Sequence, residues 1–177
     1  MLIDETHRIR FRPLSLNDLS SLTPILSDPE VMRYSVKGVC DESATRKFIE
    51  WCLERYATHG LGPWALIAKS TSELIGFCGV SPEVVEGVEE INLGYRLARN
   101  YWGQGLATES ATAVLNYAFN RAGIGSVVVI IEPEHEASLR VARKAGFSHY
   151  RSVQFHGRPV RLYRMSHAQW RALPTPA

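Results

Sequence analysis

The residue types and spacings with the most chemistry in them lie between Leu93 and Glu109, around Trp102-Gly103-Gln104-Gly105-Leu106-Ala107-Thr108. Leu93, Tyr95 and Leu97 alternate as a strand does, and a helical pattern runs on from Ala107 to about Arg121. Gly103 and Gly105 mark the turn from one element to the other. The first N–H groups of a helix have no partner inside it, and the helix dipole adds positive charge at the same end. Such a loop is an anion site whose usual guest is phosphate, and glycine lets the ligand approach the backbone. Two other phosphate loops are excluded. Gly105 is followed by Leu106 and not by Lys and Ser or Thr, and Thr108 stands where a dinucleotide fingerprint needs a third small residue.

A second constellation runs from Glu132 to Phe147: a loop with Pro133 and His135, a short helix with Ser138, Arg140, Arg143 and Lys144, a stop at Gly146, and Phe147 opening the next strand. Read from the residues alone, Ser138 caps the helix and the cations form a basic helix end. His135 would be a loop histidine that titrates near neutrality.

Together these stretches resemble the GNAT acetyltransferases. Trp102 to Ala107 is similar to their Arg/Gln-x-x-Gly-x-Gly/Ala loop, which cradles the pyrophosphate of acetyl-CoA. The longer string Tyr101 to Glu109 resembles the RimJ/RimL-type branch, where Trp commonly replaces the Arg/Gln. The segment from Pro133 to Phe147 is similar to that branch at Pro133, Ala137, Ser138, Arg140, Val141, Lys144, Gly146 and Phe147, and departs from it at His135, where Asn is usual. The resemblance spans about Arg8 to Arg164. It implies an acetyl-CoA-dependent N-acetyltransferase acting on a primary amine, either a protein or peptide N-terminus or a small molecule. It implies no metal. The cofactor-binding set it implies is Leu97, Trp102, Gly103, Gln104, Gly105, Leu106, Ala107, Thr108, His135, Ser138, Arg140 and Lys144. Tyr34 and the loop after it become candidates for acceptor contact.

Direct attack of an amine on a thioester needs a neutral amine, a stabilised oxyanion and a proton for the thiolate. Backbone N–H groups from Leu93 to Tyr95 are candidates for the oxyanion. Ser138 is the candidate donor to sulfur, because Ala142 occupies the position of the tyrosine many family members use. Asn92 stands where relatives carry Glu and cannot take a proton at neutral pH. Glu90, two residues earlier on the same face, is the candidate base, acting through a water. The departures at Asn92 and His135 also leave open a non-catalytic acyl-CoA-binding sensor on the same fold.

The elements that must position these residues are legible as patterns. His7 to Leu14 alternates as a half-buried strand, with Pro13 at its end or on a sheet edge and Arg8, Arg10 and Arg12 on a solvated face. Ser15 and Asp18 form a capping box before a helix with Leu16, Leu19, Leu22 and Leu26 on one face. Asp28-Pro29 signals a short second helix to about Tyr34. Asp41 to His59 is a longer helix, closed by Gly60, with Phe48, Ile49, Cys52, Leu53 and Tyr56 buried. Strands follow at Pro63–Lys69, Leu74–Val80 and Glu89–Leu97, with Gly87 turning an acidic segment between the last two. The helix from Gly105 to Arg121 is apolar around most of its circumference, so it is buried against the sheet. Ser126 to Ile131 is an unbroken Val/Ile run, as in a doubly buried parallel strand. Gly146 to Phe155 and Val160 to Ser166 form a hairpin around His156-Gly157-Arg158-Pro159, and Trp170 lies in the tail beyond. The expected fold is α/β (α+β): one GNAT-like domain over residues 1–177 with a core of about 8–166. Its sheet is mixed and mostly antiparallel, with a central parallel pair splayed near Gly94 and helices on its flanks.

The chain of 177 residues is 45% hydrophobic and 21% charged, in the range of a folded domain. A net charge of +2 is too small to argue for nucleic acid as a partner, and none is expected. Cys40, Cys52 and Cys78 are odd in number and widely spaced, which suits free thiols in a reducing compartment. No signal-peptide pattern or membrane span is read, so the expected location is the cytoplasm and the expected state a monomer or homodimer.

Overall fold

The computed structural model describes residues 3–175. Its strands are β1 (Ile9–Pro13), β2 (Gly62–Ala68), β3 (Leu74–Val85), β4 (Val88–Leu97), β5 (Ser126–Ile131), β6 (Tyr150–Phe155) and β7 (Arg158–Ser166). Its helices are α1 (Leu19–Leu26), α2 (Glu42–His59), α3 (Leu106–Asn120), α4 (Glu136–Ala145) and α5 (His167–Arg171). The strands form one sheet in the order β1-β2-β3-β4-β5-β7-β6, antiparallel throughout except for β4 and β5. The expected mixed sheet with one central parallel pair is the observed one.

Turn chemistry fixes the hairpins. Glu86-Gly87 joins β3 to β4 and His156-Gly157 joins β6 to β7, all four residues at positive φ. Two-residue loops of that conformation match the twist of the strands they join. They also let β3 run on to Val85 and β7 begin at Arg158, beyond the expected ends. Pro13 sits on the edge strand opposite Trp64, where its missing N–H costs no ladder bond.

Helices cover both faces. One core joins Leu93 and Leu97 of β4 to Ala111, Val114, Leu115 and Ala118 of α3, all buried. The other joins Ala65 and Phe77 to Leu22 and Ile25 of α1 and to Ile49 and Cys52 of α2. The Asp41 side chain accepts from the Ala44 N–H at 2.8 Å and Gly60 closes α2 in the left-handed region, as the sequence predicts. Leu53, expected in the buried stripe of that helix, is 38% exposed. The Asp28–Tyr34 segment forms turns and no helix. The Asp28 carboxylate is taken by Arg99 at 2.6 and 3.0 Å and by the Glu30 N–H. Residue Leu16 lies in a 3₁₀ turn ahead of α1 and is exposed. The tail packs, with Trp170 and His167 stacked on Phe119 of α3.

The feature that makes a site is the loose join of β4 and β5. Their parallel ladder has one register pair, Asn92 opposite Val128, while β3 follows β4 all the way to Leu97. From Leu93 upward the edge of β4 that faces β5 has no strand partner, and the two strands splay, as expected near Gly94.

Candidate active site

At the top of the splay the chain leaves β4 and enters α3 through the glycine loop. Gly103 and Gly105 have φ of 73° and 78°, a conformation that costs other residues about 1–2 kcal/mol. The first bond from helix to loop is Glu109 N–H to Gly105 carbonyl at 3.0 Å, so the N–H groups of Leu106, Ala107 and Thr108 have no carbonyl partner. Trp102 is 46% exposed and donates its indole N–H to the Leu97 carbonyl at 2.9 Å, which ties the loop to the strand end. The Gln104 side chain bonds the Asn100 carbonyl. Arg8 is not merely solvated. It pairs with Glu109 at 2.7 Å and bonds the Gln104 carbonyl at 2.8 Å, so β1 braces the loop. Arg12 and Arg10 are likewise paired, with Asp18 and Glu5.

Below the loop, a cavity of about 170 Å³ opens between β4, β5, α4 and the loop that carries Tyr34. On the α3 side of the sheet, the Tyr95 hydroxyl donates to Ser138 Oγ at 3.1 Å, and Ser138 Oγ lies 3.2 Å from His135 Nε2. Ser138 does not cap α4: His135 holds the cap position, and Ser138 is buried three residues inside, facing the cavity. Burial raises the Tyr95 phenol to about 12, so it keeps its proton and acts as a donor. His135 stacks on Tyr34 with ring centroids 4.1 Å apart. Burial first, then Arg96 and Arg33, pull its pKa down to about 4. The imidazole is therefore neutral near pH 7 and does not switch there, contrary to the sequence expectation.

On the opposite face of β4 stand Glu90, Asn92, Gly94 and Arg96, alternating with the residues just described. The Asn92 side-chain oxygen is buried without a hydrogen-bond partner in the cavity wall. Glu90 is not available as a base. Arg164 grips both its oxygens, at 2.5 and 2.9 Å, and holds its carboxyl below the usual range; Glu90 does not line the cavity. Its cross-strand neighbour Glu83 does line the cavity and forms no ion pair among the described residues. Arg96 also lines it, its guanidinium bonded among the described residues only to the Tyr95 carbonyl, at 2.9 Å.

The three basic positions on α4 stand apart from this cavity. Arg140 is exposed and 3.7 Å from Glu136, while Lys144 and Arg143 line a broad second groove beside Thr108 and Thr112 of α3. Among the described residues no cluster of His, Cys, Asp and Glu is arranged to hold a metal, and no helix is long and apolar enough to cross a membrane.

A family model described as Acetyltransferase (GNAT) domain matches residues 8–148. The chain belongs to the GNAT acetyltransferase family. Over 159 residues it is 35% identical to the uncharacterized protein YkkB of Bacillus subtilis (strain 168), covering 89% of this chain and 92% of the relative. It is 31% identical over 144 residues to the uncharacterized N-acetyltransferase p20 of Bacillus licheniformis, covering 80% of each. A spermidine N(1)-acetyltransferase of Escherichia coli (strain K12) is 29% identical over 150 residues, 80% of this chain and 74% of the relative. Among solved structures, a GNAT-family acetyltransferase from Bacillus anthracis superposes with a TM-score of 0.79 at 24% identity, covering 95% of this chain and 99% of that one. AAC(6')-Ib in complex with paromomycin and acetyl-CoA gives 0.78 at 17% identity, covering 96% and 99%. The ribosomal L7/L12 acetyltransferase RimL in complex with coenzyme A gives 0.78 at 17%, covering 94% and 98%. These likenesses establish the GNAT fold.

Proposed function

We propose that the protein is an acetyl-CoA-dependent N-acetyltransferase that moves an acetyl group to a primary amine by direct attack in a ternary complex, within the RimJ/RimL-type branch. The observation that carries this reading is the succession of three features along the chain's path: the cavity beside Asn92 to Arg96, the edge of β4 without a strand partner, and the free N–H groups of the glycine loop that follows it. Gly103 to Thr108 receive the pyrophosphate. The freed backbone groups of β4 bond the pantetheine arm, which satisfies donors and acceptors that the splay leaves without a strand. Arg143 and Lys144, with Arg140, supply positive charge on the nucleotide side.

In this reading each cavity residue has a role set by its bonding. Ser138 passes its hydroxyl proton to the sulfur as the C–S bond breaks and takes the Tyr95 phenol proton in its place, and the phenolate regains a proton from solvent once coenzyme A has left. The unpartnered Asn92 oxygen accepts one N–H of the incoming amine. Glu83 takes the second proton through a water, replacing Glu90 in the role the sequence suggested. His135, neutral and stacked on Tyr34, shapes the acceptor wall. The spermidine N(1)-acetyltransferase and the ribosomal L7/L12 alpha-N-protein acetyltransferase are named for amine acceptors, which supports the acceptor class. Three buried free cysteines suit the reducing cytoplasm, where we place the activity.

A second reading rests on one observation: with Asn92 unable to take a proton and Glu90 committed to Arg164, the chain lacks a base where relatives carry one. Such a protein would bind acetyl-CoA and release nothing. Acetyl-CoA consumption with peptide N-termini and small amines, alongside calorimetric titration of acetyl-CoA, separates the two. Turnover supports the transferase, and binding without turnover supports the sensor. Absence of binding overturns both.

A further inference from the structure

We propose that the acceptor is a primary amine that also carries a carboxylate several ångströms from its nitrogen, with Arg96 as the carboxylate subsite and Asn92 at the amine. This rests on the transferase reading for its reaction, and on the cavity alone for its binding.

Arg96 and Asn92 point from the same face of β4 into one cavity. An arginine cannot shed its charge, and a guanidinium taken out of water needs an anion or several acceptors. Arg164 on the same sheet has Glu90, and Arg99 nearby has Asp28. Arg96 has the neighbouring Tyr95 carbonyl and no ion pair among the described residues. Glu132 is its nearest carboxylate influence and is itself 3.7 Å from Arg158. The free face of the guanidinium matches the two oxygens of a carboxylate, the geometry arginine binds best. At the other end, the Asn92 oxygen is buried and unbonded, and an amine N–H is the donor it lacks. Glu83 adds negative charge at that same end. Glu132 also lines the cavity but pairs with Arg158 at 3.7 Å, which leaves Arg96 as the positive end and Glu83 beside Asn92 as the negative one, an arrangement that suits a zwitterion.

Length narrows the class. Four residues of strand separate the two anchors by roughly 13 Å at Cα, less whatever the side chains reach toward each other. On this spacing the proposal takes an ω-amino acid or a dipeptide as acceptor, and not an α-amino acid, whose charges lie closer together.

The test compares glycylglycine, ε-aminocaproate and spermidine as acceptors for the wild type, Arg96→Gln and Arg96→Lys. Initial rates with acetyl-CoA are measured beside direct binding of each acceptor without it. The wild type should favour the two amino-carboxylates by tenfold or more in kcat/KM. Arg96→Gln should raise their KM at least tenfold, leave the KM for acetyl-CoA unchanged and narrow the preference over spermidine; Arg96→Lys should recover part of the loss. A wild-type preference for spermidine, or an Arg96→Gln effect confined to acetyl-CoA, overturns the subsite. Arg96-dependent binding of amino-carboxylates without any acetyl-CoA binding would uphold the subsite and sink the transferase reading. Turnover of acceptors indifferent to Arg96 would do the reverse.

Discussion

Replacing Glu90 by Gln separates a catalytic carboxylate from a structural one. Both oxygens of Glu90 are held by Arg164, and its side chain is 10% exposed against 42% for the arginine. A fully exposed pair contributes about 0–1 kcal/mol, and breaking a fully buried one costs about 3–5 kcal/mol. With one partner buried and the other wetted, a loss of about 1–2 kcal/mol is expected. In a domain of this size each kcal/mol moves Tm by about 2–4 °C, so the melt should fall by about 2–8 °C. The pH dependence has a definite sign. The arginine lowers the carboxyl pKa in the folded state, so its stabilisation is present above the ordinary carboxylate range and is lost as pH falls through the depressed value. Glu90→Gln should therefore melt below the wild type at pH 7 and converge on it in acid. Its kcat should stay within about threefold of wild type, since losing a general base costs about 10²–10⁴-fold. Circular-dichroism melts from pH 3 to 8, with steady-state rates on the same preparations, measure both. A hundredfold loss of kcat with an unchanged melt would refute the assignment and return Glu90 to the chemistry.

Three further outcomes follow from the geometry. Tyr95→Phe and Ser138→Ala should each lower kcat about 10–100-fold, and the double variant should lose little more than Ser138→Ala alone, because the phenol acts through the serine hydroxyl; additive losses would show independent roles. Gly79→Ala should abolish soluble folded protein or cost more than about 3 kcal/mol, because its Cβ would stand 2.2 Å from the Gly62 carbonyl oxygen on β2; a denaturant midpoint near wild type would contradict the register. The rate profile from pH 6 to 8 should carry no limb from His135, whose pKa is held at about 4, so His135→Asn should leave the shape of the profile unchanged; a limb near pH 6.5 that disappears in the variant would mean that the imidazole is wetter than its stacking on Tyr34 implies.

What was legible in the sequence was local. The Asp41 cap and Gly60 stop bound α2, the Val/Ile run is β5, and the glycine loop opens α3, because each signal lies within a few residues of the structure it encodes. The misreadings came where a distant residue intervened. Asp28 carries a helix-cap signal, but Arg99, 71 residues away, claims its carboxylate and the segment turns. Glu90 sits where a base is sought, but Arg164, 74 residues away, claims it. Arg8 is one of three alternating arginines, and only the docking of β1 beside α3 gives it Glu109 and the Gln104 carbonyl. Tyr95 reads as one more strand aromatic until α4 brings Ser138 to its hydroxyl. Glu83 carries no local signal at all, and it reaches the cavity because the Glu86-Gly87 turn sets it opposite Glu90.

These long-range pairings also explain how one strand can serve two substrates. Side chains alternate across a sheet, so Tyr95 faces α3 and α4 while Asn92 and Arg96 face the other side. A closed sheet would keep those faces apart. Here β4 and β5 meet at Asn92 and part above it, and the unpartnered side-chain oxygen of Asn92 lies at the point where they part. A thioester entering from the α3 side and an amine entering from the opposite side would meet through the gap. The proton leaving the nitrogen and the proton reaching the sulfur would then be handled on different faces, by Glu83 and by the Tyr95–Ser138 pair. In the proposed reaction that separation would keep a proton donor buried and protonated within reach of the groups that must accept a proton. It also predicts that substitutions at Arg96 change the choice of acceptor, while those at Asn92, Glu83, Tyr95 and Ser138 change the rate for every acceptor alike.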